Sequence, residues 1–118
     1  MTDYYVHHEA ACRLSAAAHA HLGKIVPVQV DSFTDKSREY QMVCAGMAGD
    51  QCIFIDNVHK KADGTFSLTG RQGLEEYADY REGKFMIPAI LSQEKAQSLY
   101  LREVDKEKIL KLWEARKQ

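Results

Sequence analysis

Two runs in this chain end alike, Val28-Gln29-Val30-Asp31-Ser32 and Ile53-Phe54-Ile55-Asp56-Asn57-Val58-His59, and each places an aspartate where an apolar stretch gives out. If both runs are strands whose ends adjoin, Asp31 and Asp56 bring two carboxylates together beside His59. Oxygen ligands of this kind hold hard divalent cations, and a carboxylate beside an imidazole also suits acid–base catalysis. Asp31, Asp56 and His59 are therefore the candidate catalytic residues of a metal-assisted hydrolase. The plainer reading is that aspartate is frequent where strands pass into turns, since its side chain bonds the local backbone there.

A second group lies near the N-terminus. On a helix, His8, Cys12 and His19 fall close together around the axis, and the four-residue spacing of His8 and Cys12 lets both reach one zinc ion. His19 is two turns further along, too distant to join them. His8 and Cys12 are thus the metal candidates, while Cys12 and Trp113 are candidates for a binding surface. As a nucleophile Cys12 is poorly placed, because a helix interior lacks the positive end of the dipole that lowers thiol pKa values. Histidines on a solvated helix flank are the common case. Two shorter patterns recur readily by chance: Ser92-x-x-Lys95, the spacing of a serine–lysine pair, and Gly70-x-x-Gly73 with Arg71, which ahead of a helix could offer backbone amides to a phosphate. Lys106, Lys108, Lys111, Arg116 and Lys117 alternate with Glu103, Glu107 and Glu114, which describes a solvated helix face better than a nucleic-acid patch.

The elements that would position these residues follow from periodicity. An alanine-rich stretch from about Asp3 to Leu22, closed by Gly23, predicts a helix with Tyr4, Ala11, Leu14, Ala18 and Leu22 on one side and His7 and His21 at its margin. Residues 25–30 are β-branched, and Pro27 predicts an edge position or a strand start. Tyr40, Met42 and Cys44 alternate with wetter neighbours, and after a link over residues 46–50 the unbroken run Cys52-Ile53-Phe54-Ile55 predicts a strand covered on both faces. Ala62-Asp63-Gly64 supplies turn chemistry, so residues 65–68 should return as a hairpin. Leu74, Tyr77, Ala78 and Arg81 have helical spacing and predict a short helix from about Arg71 to Glu82. Residues 85–91 suit a buried strand-like segment. Beyond it come two helices, capped at Ser92 and Asp105 or broken near Val104, with Trp113 as an anchor.

With Asp56 on a strand, a hairpin after it and Glu75 and Glu76 on the helix that follows, this part of the chain resembles a fragment of the ribonuclease H arrangement. That resemblance implies a nuclease. It also implies a further acidic residue after the next strand, where residues 85–91 run out at Ser92 with none, and it leaves the leading helix without a counterpart.

With 118 residues, 45% hydrophobic and 28% charged, the chain is the size and composition of one domain, residues 1–118. A formal charge of -1 gives no pull toward nucleic acid or anionic lipid. Three cysteines without a Cys-x-x-Cys pair point to reduced thiols, no basic-then-apolar leader opens the chain, and no window has the apolar length of a membrane span. The expectation is a cytoplasmic α+β domain: an N-terminal helix, an antiparallel sheet of three to five strands, and C-terminal helices packed on one face. No cofactor is expected. The leading functional reading is a small interaction module acting by protein–protein contact, self-associating or with a protein partner. The others are a small-ligand domain with its pocket between sheet and first helix, where Ala11, Cys12 and Ala18 leave room, and the hydrolase of Asp31, Asp56 and His59.

Overall fold

The computed structural model describes residues 2–31, 38–88 and 103–116, without the side chains of residues 2–8, Asp31, Pro88 and Glu103. Helix α1 spans Thr2–Ala20. It ends where the alanine-rich sequence meets Gly23, whose φ of 76° turns the chain and whose amide bonds the Cys44 carbonyl at 2.8 Å. Leu14, Ala17 and Ala18 are its buried residues, whereas Leu22, expected on that face, is 38% exposed.

Six strands follow: β1 (Ile25–Asp31), β2 (Arg38–Ala48), β3 (Gln51–Lys60), β4 (Phe66–Leu74), β5 (Asp79–Arg81) and β6 (Lys84–Pro88). Helix α2 is Glu103–Glu114. The strands form one sheet in the order β4-β3-β2-β1-β6-β5. The α+β class holds, but the sheet is mixed and six-stranded rather than antiparallel with three to five strands, because β1 pairs β6 in parallel, Val28 with Phe85 through Asp31 with Pro88.

Pro27 is not at an edge either. The Cys44 amide bonds the Lys24 carbonyl, so the antiparallel ladder to β2 uses the even-numbered residues of β1. Pro27 therefore turns its missing donor toward β6, where pairing starts one residue later at Val28.

The helix expected between Arg71 and Glu82 is absent. Instead β4 runs on through Leu74, a turn covers residues 75–77, and β5 pairs with β6 from Asp79–Met86 to Arg81–Lys84. The helical spacing there serves a single turn, in which the Leu74 carbonyl accepts the amides of both Tyr77 and Ala78. Ala78 is then buried in the core, and the chain leaves as a strand. The tip between β5 and β6 has Glu82 and Gly83 both at positive φ, 53° and 80°, the conformation of a tight two-residue hairpin. The link expected over residues 46–50 is shorter as well, since β2 continues to Ala48 across a bulge between Cys44 and Met47.

Residues 75–78 alone join β4 to β5, which stand at opposite edges of the sheet. An extended link of that length reaches roughly 17 Å, while a flat sheet of six strands is roughly 24 Å across. The sheet must therefore curl toward closure. In agreement, the place a Cβ would take on Gly73 of β4 lies 3.2 Å from Ile87 Cγ1 of β6, and the Phe54 and Phe85 rings of β3 and β6 meet at 5.0 Å.

Inside the curl, Val26, Val28, Met42, Cys44, Cys52, Phe54, Phe85 and Ile87 pack against Leu14, Ala17 and Ala18 of α1. Outside it, Ala45, Ile53, Ile55 and Leu68 pack against Ile109, with Leu112 and Trp113 beside them. The helix expected to start at Ser92 lies outside the described residues, and the two described helices thus lie on opposite faces, not on one. The physical reason is β3, whose Cys52-Ile53-Phe54-Ile55 run is fully buried and apolar on both sides, so each face needs its own cover.

Candidate functional site

Asp31 and Asp56 do not end adjoining strands, because β2 lies between β1 and β3. The backbone of Asp31 pairs with Pro88, and its side chain is outside the described residues. Asp56 marks a fork. The β2–β3 ladder runs only from Val43–Ile55 to Ala48–Gln51, while β2 continues beside β1 to Arg38 and β3 beside β4 to Lys60. Asp56 is the irregular residue at this parting, between the Ile55–Gly70 and Asn57–Thr69 pairs. Its Oδ1 accepts the buried Thr69 hydroxyl at 2.8 Å, and that hydroxyl also lies 3.3 Å from the Asn57 carbonyl. Nearby on the same side of the sheet, the Arg71 guanidinium stands 4.6 Å over the Tyr40 ring. His59 is exposed three residues further along β3, opposite Ser67. The order the ribonuclease H resemblance needs is missing, since Glu75 and Glu76 sit in the turn after β4 rather than on a helix.

The remaining sequence candidates are scattered. Cys12 is exposed on α1, and the His8 side chain is outside the described residues. Among the described residues no three His, Cys, Asp or Glu side chains are grouped to hold a metal ion. Of the small residues of α1, Ala18 lies fully buried against the sheet, where the Cys44 thiol donates to its carbonyl at 3.5 Å, while Ala11 is half-buried and Cys12 exposed. Gly70 and Gly73 lie inside β4 with no helix start after them, and Ser92 and Lys95 fall outside the described residues. Trp113 packs on the outer core, and the Arg116 guanidinium covers its ring at 4.1 Å.

Sequence reasoning missed the most organised polar cluster, which lies where α1 crosses β5. The Asp79 side chain is only 14% exposed and accepts from four groups: Arg13 Nε at 3.3 Å and Nη2 at 3.0 Å, Arg81 Nε at 2.7 Å, and the Tyr80 amide at 2.7 Å. Burial alone would push its carboxyl up, but Arg13, the Tyr80 amide and Arg81 outweigh this and hold it below the ordinary carboxylate range. A carboxylate so saturated is a poor base and a poor metal ligand. Its effect is to gather two guanidiniums, of which Arg13 also feels the Glu9 carboxylate one turn earlier on α1. Both reach outward, with Arg13 42% and Arg81 60% exposed. Behind them His21 donates from Nδ1 to the Ala17 carbonyl at 2.8 Å, its ring 5.7 Å from Tyr80 and 6.0 Å from Phe85. Arg13 and Asp79 are 66 residues apart, so no local pattern announces the pair.

No family model, curated protein or solved structure matches this chain. Among its described residues, no helix is long and apolar enough to cross a membrane.

Proposed function

We propose that this protein acts by protein–protein contact, with a second copy of itself as the first partner, through the corner where α1 meets β5. The observation that carries the reading is the exposed pair Arg13 and Arg81, held by one half-buried carboxylate, with Tyr77 53% exposed just before that carboxylate in the chain. Arginine and tyrosine are the residues that most often dominate contact energies. A guanidinium already fixed by Asp79 loses less freedom on binding than a solvated one, so the corner is preorganised. Glu76 and Glu82 are exposed on either side of the β5 segment, which places both signs of charge next to each other. A surface of mixed sign can meet its own copy about a two-fold axis, arginine to glutamate in both directions.

The test is light scattering over a micromolar to millimolar series. The wild-type mass should rise toward the dimer, and Arg81→Glu should weaken association at least about tenfold, which is about 1.4 kcal/mol. A wild-type protein that stays monomeric throughout refutes self-association. A dimer indifferent to Arg81→Glu and Arg13→Glu refutes this corner as its site.

A further inference from the structure

Cys44 and Cys52 are both fully buried, on the inner face of adjacent strands, beneath the last turns of α1. In a regular antiparallel ladder, diagonal neighbours lie about 7–8 Å apart at Cα, beyond the usual span of a disulfide. Here the ladder is not regular. Cys44 pairs with Phe54 and Met47 with Cys52, and the bulge lies between those two pairs. A bulge increases local twist and draws one diagonal closer. The Cys44 thiol donates to the Ala18 carbonyl at 3.5 Å, and the Cys52 thiol interacts with Cys44 on the same inner face. The bond to Cys44, together with burial, pushes the Cys52 thiol far up, so Cys44 is the better nucleophile of the two.

We propose that Cys44 and Cys52 are a redox pair which a peroxide closes to an intramolecular disulfide, loosening the last turn of α1. The Cys44 sulfur attacks hydrogen peroxide, the O–O bond breaks, and one water leaves with the thiol proton, giving a sulfenic acid. The Cys52 sulfur then displaces the second oxygen, which departs as water with the Cys52 proton and the sulfenic proton. Two thiols are oxidised to one disulfide and one peroxide is reduced to two waters. The product has no S–H to offer the Ala18 carbonyl, so the helix loses a bond near its C-terminus. Cys12 is exposed on α1, whereas Cys44 and Cys52 are buried, and it oxidises independently of them.

The experiment exposes the reduced, folded chain to hydrogen peroxide until Cys12 is fully oxidised, then denatures it, alkylates remaining thiols and maps the peptides. The same treatment is given to Cys12→Ser. The expected result for Cys12→Ser is a monomer about 2 Da lighter that takes no alkyl group, yields a peptide linking Cys44 to Cys52, and reverts on reduction. Hydrogen exchange should rise in the last turn of α1 in that oxidised form. Cys52→Ser should instead hold a sulfenic acid on Cys44 that a dimedone probe captures. Full alkylation of Cys44 and Cys52 after Cys12 has been consumed overturns the proposal. So does a disulfide that leaves exchange in α1 unchanged, since the pair would then be no switch.

Discussion

Gly70→Ala is the substitution whose cost the structure defines most sharply. Gly70 sits in β4 opposite Ile55, at the point where β3 bulges around Asp56. A Cβ there would overlap the Phe54 carbonyl oxygen and lie 2.9 Å from the Ile55 Cα. Both are backbone atoms of the adjacent strand β3, so no side chain can rotate to make room. Because a carbon–oxygen contact relaxes only near 3.3 Å, β4 must withdraw from β3 by about 1 Å or more. Two flanking ladder bonds would weaken at about 1 kcal/mol each, and overpacking adds about 1–3 kcal/mol. Alanine returns at most about 1 kcal/mol through the unfolded chain, leaving a net loss of about 2–4 kcal/mol and a fall in Tm of roughly 8–16 °C. Gly73→Ala is the control. Its Cβ would meet the Ile87 side chain at 3.2 Å and the Ala78 methyl at 3.3 Å, and a shift of Ile87 should hold the loss to about 1 kcal/mol. Urea titrations followed by Trp113, the single tryptophan, read both. A Gly70→Ala midpoint within error of wild type, or a Gly73→Ala loss as large, would refute the backbone-clash argument.

Phe54 is fully buried against Phe85, so Phe54→Ala should cost about 3–5 kcal/mol in the same titration. Glu82 holds a positive φ in a two-residue hairpin tip that favours Asn-Gly, so Glu82→Asn should stabilise by about 0.5–1 kcal/mol, measured as a raised Tm. The depressed Asp79 carboxyl contributes stability that is complete above its ordinary value of 3.8 and is lost as pH falls through its lower folded value. Asp79→Asn should therefore be less stable than wild type at neutral pH, and the gap should narrow as pH drops below 3.8; a gap independent of pH would exclude Asp79 as its source.

What was legible in the sequence is what short-range pattern controls. The glycine stop of α1 and the buried run at Cys52–Ile55 follow from composition and period within a few residues. The turn between β3 and β4 does too, where Asp63 Oδ1 accepts both the amide and hydroxyl of Thr65 and Gly64 takes a φ of 90°. That β3 is an interior strand was readable, because only a strand buried on both faces can afford four consecutive apolar residues, but its place next to edge strand β4 rather than in the middle of the sheet was not.

Tertiary structure decided the rest. Leu74, Tyr77, Ala78 and Arg81 satisfy a helical period as well as they do a turn and a short strand. The choice went to β5 because pairing with β6 supplies its backbone with partners and Ala78 with a buried place. Pro27 reads as a signal of an edge strand or of a strand start; β1 does start close by, at Ile25, yet it is interior, and it accepts the proline where its ladder to β6 has not begun. Asp31 and Asp56 look equivalent in sequence, and β2 separates them. Asp79 looks like any surface aspartate until Arg13, carried in by α1, and Arg81 close on it. Hydrophobic period and turn chemistry act between near neighbours and can be read along the chain, whereas strand order and ion pairing join positions far apart in it and exist only once the sheet has curled.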